Sequence, residues 1–195
     1  AALGQTTSWG RYQVSGALHK VVINGSPDFA GSNPSTWGFA VQGGVMIALP
    51  MIADKDSLYL QTAYVDGATT YLGLVDPSGD FAPPDAYYSP TGGFSRVTGW
   101  NVTAQYLHNW TPTLNSAFFG GYADFKLNDV LAEATYGASG AGNFNFGANL
   151  VWSPNSNTKL LAQYIYNYYG AQDYVDTTNG LPAASQDAHD LLLMA

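Results

Sequence analysis

Apolar and polar residues alternate with a period of two along four segments of the chain, which predicts β-strands. The alternation is clearest over residues 144–152, FNFGANLVW, where aromatic and aliphatic residues occupy one face and asparagine and glycine the other. The same pattern occurs over residues 37–49, 100–110 and 159–169. Weaker alternation predicts strands at 12–23, 58–66 and 116–126, and a further strand is predicted to begin at Leu191.

The connections between these strands alternate between long and short. This asymmetry is typical of outer-membrane barrels, which have short periplasmic turns and longer loops outside. The predicted strands, of about nine to thirteen residues, also approach the length that a tilted strand needs to cross a bilayer. We therefore predict short periplasmic turns at 50–57, 111–115 and 153–158, and long outer loops at 24–36, 67–98, 127–142 and 170–190.

The two faces of the predicted strands differ in chemistry. Tryptophans stand near strand ends, as in the aromatic girdles of membrane barrels; these are Trp37, Trp100, Trp110 and Trp152. The opposite face is rich in amides and small residues and is predicted to line a water-filled lumen. Its candidate pore-lining residues are Gln42, Gln61, Asn101, Thr103, Gln105, Asp124, Lys126, Asn145, Asn149, Lys159, Gln163 and Asn167.

Composition agrees with this fold and excludes other classes of protein. Charged residues make up only 10% of the 195 residues, and the net charge is −8 at pH 7. The six basic residues are spread along the chain, so we expect no nucleic-acid partner. No run of eighteen apolar residues predicts a membrane-spanning helix. The start lacks a signal-peptide pattern, so either a leader has been removed or the chain starts within a longer protein.

The sequence offers little catalytic chemistry. It has no cysteine. Glycoside hydrolysis needs two positioned carboxylates, but Glu133 is the only glutamate and the aspartates are scattered over the predicted loops. No G-x-S-x-G motif accompanies the three histidines. Asp187, His189 and Asp190 could ligate a divalent cation, but we expect a solvated charge cluster in a loop. We therefore predict a single β-barrel segment over residues 1–195 that is not an enzyme and has no cofactor or metal.

Four segments, in order, resemble the outer-membrane porins of alphaproteobacteria, the Rhizobium–Brucella type. They are SWGRYQVSGALHK, WGFAVQGGVMIALPMIADKDSLYLQTAYVDGA, GWNVTAQYLHNWTPTLNSAFFGGY and NFNFGANLVWSP. The resemblance covers Ser8 to about Tyr169 and implies a sixteen-stranded antiparallel barrel, usually trimeric, that passes small hydrophilic solutes passively. The chain matches only the C-terminal half of that pattern and lacks the family's terminal aromatic residue. The family's constriction loop belongs to the other half, so no residue here is assigned to it.

The fold class expected is therefore all-β: an antiparallel transmembrane β-barrel with about eight strands present, part of a sixteen-stranded porin barrel in the bacterial outer membrane. The expected partners are the lipid bilayer, lipopolysaccharide, the remainder of the barrel and two further copies in a homotrimer. Two alternatives stay open at this point. One is a small closed eight-stranded barrel with an anchoring or adhesion role, whose interior would be filled by side chains. The other is a soluble all-β carbohydrate-binding module, with tyrosines that stack on sugars.

Overall fold

The computed structural model describes residues 1–22, 34–73, 84–89, 93–128, 139–172 and 186–194. Its strands are β1 (Ala2–Thr7), β2 (Gly10–Val22), β3 (Ser35–Ala48), β4 (Ser57–Asp66), β5 (Ala86–Ser89), β6 (Gly93–Arg96), β7 (Thr98–Thr111), β8 (Leu114–Lys126), β9 (Gly140–Asn155), β10 (Thr158–Gln172) and β11 (Gln186–Met194). Nine of them form one antiparallel sheet in the order β1-β2-β3-β4-β7-β8-β9-β10-β11, and β5 and β6 form a separate hairpin. A short 3-10 helix, Thr69–Leu72, follows β4.

The all-β antiparallel fold predicted from the alternation is confirmed. The sequence did not predict β1, because its six residues ALGQTT are short and lack a clear apolar face. β11 begins at Gln186, five residues before Leu191, so the connection predicted at 170–190 overlaps both β10 and β11. Among the described residues, β1 pairs only with β2 and β11 only with β10, so the sheet is not closed. The described residues contain no helix that is long and apolar enough to cross a membrane.

Cross-strand pairing sorts the side chains onto two faces, because directly opposed residues of an antiparallel pair lie on the same side. Val41 pairs with Tyr64, and Tyr64 pairs with Trp100. This side, which we call the apolar face, carries large exposed aromatic and aliphatic side chains. Gln61 pairs with Thr103 on the opposite side, which we call the polar face.

A small core lies on the polar face, at the end of the sheet where the long connections attach. It forms because the chain after β4 folds back across this face instead of extending away from it. Gly67 makes the turn with φ 70°, a conformation that favours glycine. Its carbonyl oxygen also lies so close to Gly38 that a Cβ there would meet it at 2.1 Å. The core residues are Ala40, Val65, Ala68, Leu72, Val97, Phe125 and Leu127.

Candidate functional site

A continuous row of polar side chains crosses the polar face near the middle of the strands. Each member pairs directly with the next, from β2 to β10, so the row is a property of the sheet register. Two of its positions are glycines, and the one at Gly44 leaves open space beside Gln61. The row consists of Gln13, Gly44, Gln61, Thr103, Gly121, Asn145 and Asn167, and we call it the amide row.

A second row runs parallel to the amide row, two residues nearer the short turns. It places Gln105 between two aromatic residues, with Tyr59 opposite it on β4 and Phe119 opposite it on β8. Phe119 in turn pairs with Gly147, and its ring lies so close that a Cβ at Gly147 would meet it at 2.7 Å. The row consists of Arg11, Met46, Tyr59, Gln105, Phe119 and Gly147, and we call it the aromatic row.

Most members of the two rows line a concave cleft of about 770 Å³, whereas Gly121, Gly147 and Asn167 lie outside it. Among the described residues that line this cleft, Arg11 is the only charged one. No hydrogen bond between described residues occupies the side-chain amides of Gln42, Gln61 and Gln105, which all line the cleft. The side-chain amides of these three glutamines can therefore donate hydrogen bonds to water or a solute and accept them.

Most of the predicted pore-lining residues share this face by register. Lys159 has no assigned partner, because the register of β10 against β9 shifts between Thr158 and Leu160. The residues on the polar face are Gln42, Gln61, Asn101, Thr103, Gln105, Asn145, Asn149, Gln163 and Asn167.

The register places Asp124 and Lys126 on the apolar face, which corrects the prediction that they line a lumen. Asp124 pairs with Trp100, and Lys126 pairs with Thr98. The physical reason is Phe125, which lies between them in sequence and packs in the small core of the polar face with 3% of its surface exposed. Burial of this aromatic ring fixes the register of β8 and turns its two charged neighbours to the other side.

Asn101 lies on the predicted face but is covered, with 6% of its surface exposed. Its Oδ1 accepts from the backbone N–H of Ala63 at 2.7 Å, and its Nδ2 donates to the backbone carbonyl of Leu72 at 2.9 Å. Leu72 belongs to the 3-10 helix that folds back over the polar face. Asn101 is therefore an anchor for this helix and not an open surface residue.

A second anchor, which no sequence motif indicated, lies at Asp85. It holds the chain between β4 and β7, described over residues 67–73, 84–89 and 93–97, which we call the returning chain. The Oδ1 of Asp85 accepts from the backbone N–H of Thr69 at 2.7 Å and from its hydroxyl at 2.9 Å. The Oδ2 lies 2.9 Å from Nε2 of His19 on β2. The returning chain is thus tied to β2 as well as β7, and it covers part of the polar face between them.

An ion pair lies beside this end of the sheet. Arg96 donates from Nε to Oδ1 of Asp66 at 2.5 Å and from Nη2 to Oδ2 at 3.0 Å. The hydrogen bond that Arg96 donates to Asp66 raises the pKa of Arg96, so the guanidinium stays charged. This two-point contact joins the end of β4 to β6, directly before the returning chain re-enters the sheet at Thr98.

At the opposite end, Asp56 ties a short turn to β7. Only 1% of its surface is exposed. It accepts from the backbone N–H of Asn109 at 2.8 Å and from the hydroxyl of Tyr106 at 2.7 Å, and it lies 2.7 Å from Nδ1 of His108. Burial alone would raise the pKa of this carboxyl group. The hydrogen bonds from Asn109, His108 and Tyr106 outweigh burial and lower the pKa to about 2.

The four predicted girdle tryptophans are all well exposed, at 43% to 61% of their surface. Trp37 and Trp100 lie near the starts of β3 and β7, and Trp152 lies near the end of β9. The indole N–H of Trp110 donates to the hydroxyl of Ser116 at 2.9 Å, which fixes this ring beside a short turn.

The acidic cluster near the C-terminus is divided between the two faces. Asp187 and His189 pair with Tyr168 and Tyr166, whereas Asp190 pairs with Ile165 on the polar face. The described residues contain no group of three side chains that could hold a metal ion.

A family model described as Porin subfamily matches residues 1–195. The searches of curated proteins and of solved structures gave no significant match.

Proposed function

Because this chain belongs to the porin subfamily, a family of outer-membrane channel proteins, we propose that its polar face lines a water-filled channel for the passive diffusion of small hydrophilic solutes and ions. The observation that carries this proposal is the contrast between the two faces of the same strands. One face presents exposed aromatic and aliphatic side chains, and the other presents free amides along a concave cleft. In a membrane barrel, the first chemistry meets lipid and the second meets water.

The unpaired edges of the sheet support a larger barrel. Within hydrocarbon, every backbone N–H and C=O group must find a partner, so a spanning sheet has to close. β1 and β11 each pair on one side only within the described residues. We propose that the remainder of the barrel pairs with these two edges. The family resemblance implies sixteen strands in the complete barrel.

The exposed side chains of the apolar face define the surroundings that we propose for the barrel. Lipid acyl chains of the bilayer cover this face, and the tryptophans near the strand ends lie at the membrane–water interfaces. Lipopolysaccharide contacts the end where the long connections attach. The family resemblance also implies a homotrimer, with part of the apolar face covered by neighbouring copies.

The two alternatives have less support. A closed eight-stranded barrel needs paired edges, whereas β1 and β11 have one free edge each among the described residues. A soluble module would leave the apolar face in water, including Trp37, Phe118 and Trp152 with about half or more of their surfaces exposed. Contiguous exposed patches of this kind are rare on soluble monomers.

Single-channel recording tests the proposal. The complete protein, purified in detergent and added to a planar lipid bilayer, should give discrete and reproducible steps of ion current. Introducing a charge in the cleft, as in Gln61→Glu, should shift the reversal potential in a salt gradient towards cation selectivity. Gln61→Asn is the matched control, because it changes the same position without adding charge, and it should leave the reversal potential unchanged. No current steps from the correctly folded protein would contradict the channel function.

A further inference from the structure

We propose that the cleft formed by the amide row and the aromatic row is a binding track for neutral saccharides and polyols. This inference rests on the proposed channel function and goes beyond it, because it assigns a ligand class to the wall. Non-selective diffusion needs only a hydrated channel wall. A binding track for sugars needs hydrogen-bonding groups and apolar surfaces arranged next to each other.

The amide row supplies the hydrogen-bonding half of the track. Each Gln or Asn amide can donate hydrogen bonds through its NH₂ group and accept them through its carbonyl oxygen. Each sugar hydroxyl group can likewise donate one hydrogen bond and accept others. Gln13 and Gln61 flank Gly44 in the row. A Cβ at Gly44 would meet no atom closer than 3.6 Å, so this glycine leaves a gap between the two amides into which a hydroxyl group can fit. The result is a line of polar groups across several strands, which suits a ligand with many hydroxyls.

The aromatic row supplies the apolar half. Tyr59 and Phe119 lie on either side of Gln105, and both rings are partly exposed to the cleft that they line. The ring of Phe119 rests over Gly147, which has no side chain to displace it. Sugar rings carry C–H groups on one face and hydroxyls at the rim. A partly exposed aromatic ring beside a free amide complements both surfaces.

Charge narrows the ligand class to neutral molecules. The described residues lining the cleft include one charged group, Arg11, at one end of the aromatic row. The central amides lie among neutral neighbours and therefore impose no strong field on an ion. An ionic solute would lose hydration without gaining a counter-charge there, whereas a neutral polyol exchanges hydrogen bonds with water for hydrogen bonds with amides. An anionic sugar could instead bind at Arg11, and the experiment separates this outcome.

Sugar-induced blocking of the ion current tests the track. With the complete protein in a planar bilayer, maltose should reduce the current in a saturable way, beyond its effect on bulk conductivity. Phe119→Ala and Gln105→Leu should each weaken the apparent maltose affinity by about 3- to 10-fold, the loss expected for one stacking contact or one hydrogen bond. Gln163→Leu is the matched control, because Gln163 lies on the polar face and does not line this cleft. It should leave the affinity unchanged.

The outcomes distinguish the track from the channel. Normal ion current without saturable block by maltose overturns the track and leaves the channel function intact. Stronger block by gluconate than by maltose, abolished in Arg11→Gln, also overturns it in favour of an anion site. If the protein carries no current, the channel proposal fails. The track is then tested by saturation-transfer NMR of maltose with the detergent-solubilised protein. Saturation transfer to maltose that is weaker in Gln105→Leu than in wild type supports the track, and the absence of transfer overturns it.

Discussion

Removing the side chain of Asn101 should release the returning chain from the polar face. In Asn101→Ala, the buried carbonyl of Leu72 loses its donor, and an unsatisfied buried group costs about 1–3 kcal/mol. The N–H of Ala63 also loses its acceptor, and the loss of this hydrogen bond costs about 1 kcal/mol more. We therefore expect the free energy of unfolding to fall by about 2–4 kcal/mol, the sum of these two losses.

The matched variants separate the two hydrogen bonds. Asn101→Asp keeps an acceptor for Ala63 but replaces the donor to Leu72 with a carboxylate oxygen, so it should be destabilised at least as much as Asn101→Ala. Thr103→Ala changes an exposed residue on the same face and should stay within about 0.5 kcal/mol of wild type. Denaturant unfolding of the complete protein in detergent, followed by tryptophan fluorescence, measures these differences. An Asn101→Ala variant within about 0.5 kcal/mol of wild type would refute the anchoring role.

Three further predictions concern the two ends of the sheet. The pKa of Asp56 is about 2 in the folded protein, below its usual 3.8. The stabilisation from ionised Asp56 is therefore present above about pH 4 and is lost as the pH falls towards 2. Acid unfolding of Asp56→Asn should lack this part of the pH dependence, and an acid-unfolding profile identical to that of wild type would contradict the role of Asp56. Gly99→Ala places a Cβ 2.5 Å from Leu72 and should destabilise by about 1–3 kcal/mol in the same denaturant assay, whereas Gly43→Ala, with no atom within 4 Å, should not. Arg96→Ala should cost only about 0.2–1 kcal/mol, and less at high salt, because 41% of the Arg96 side chain is exposed; a larger or salt-independent loss would mean that this ion pair is more than a surface contact.

The sequence predicted the faces correctly where apolar residues alternate without interruption. In β9, Phe144, Phe146 and Leu150 occupy one side, so one unbroken alternation of apolar and polar residues assigns both faces of the strand. The prediction for β8 was wrong because this strand carries aromatic residues on both faces. Phe118 is exposed on the apolar face, whereas Phe125 packs in the core. Alternation alone cannot tell which of two aromatic residues is covered by a distant part of the chain.

The contacts of the returning chain could not be predicted for a similar reason. The sequence predicts a long outer connection after β4, yet the first residues beyond Asp66 turn back onto the sheet. Gly67 is a local signal of a turn, but it does not show the direction of that turn. The anchors Asn101 and Asp85 act on partners 29 and 16 residues away. Such contacts depend on the folded register, and pattern reasoning along the chain does not reach them.

Cysteine labelling tests the central claim, that the polar face meets water and the apolar face meets lipid. The sequence has no cysteine, so single substitutions give a clean background. In the complete protein reconstituted in liposomes, a small membrane-impermeant maleimide should label Gln61→Cys and Thr103→Cys and should spare Tyr64→Cys and Val102→Cys. All four should react equally once the protein is unfolded in detergent. Equal labelling in the membrane, or protection of Gln61→Cys and Thr103→Cys alone, would contradict the assignment of the two faces.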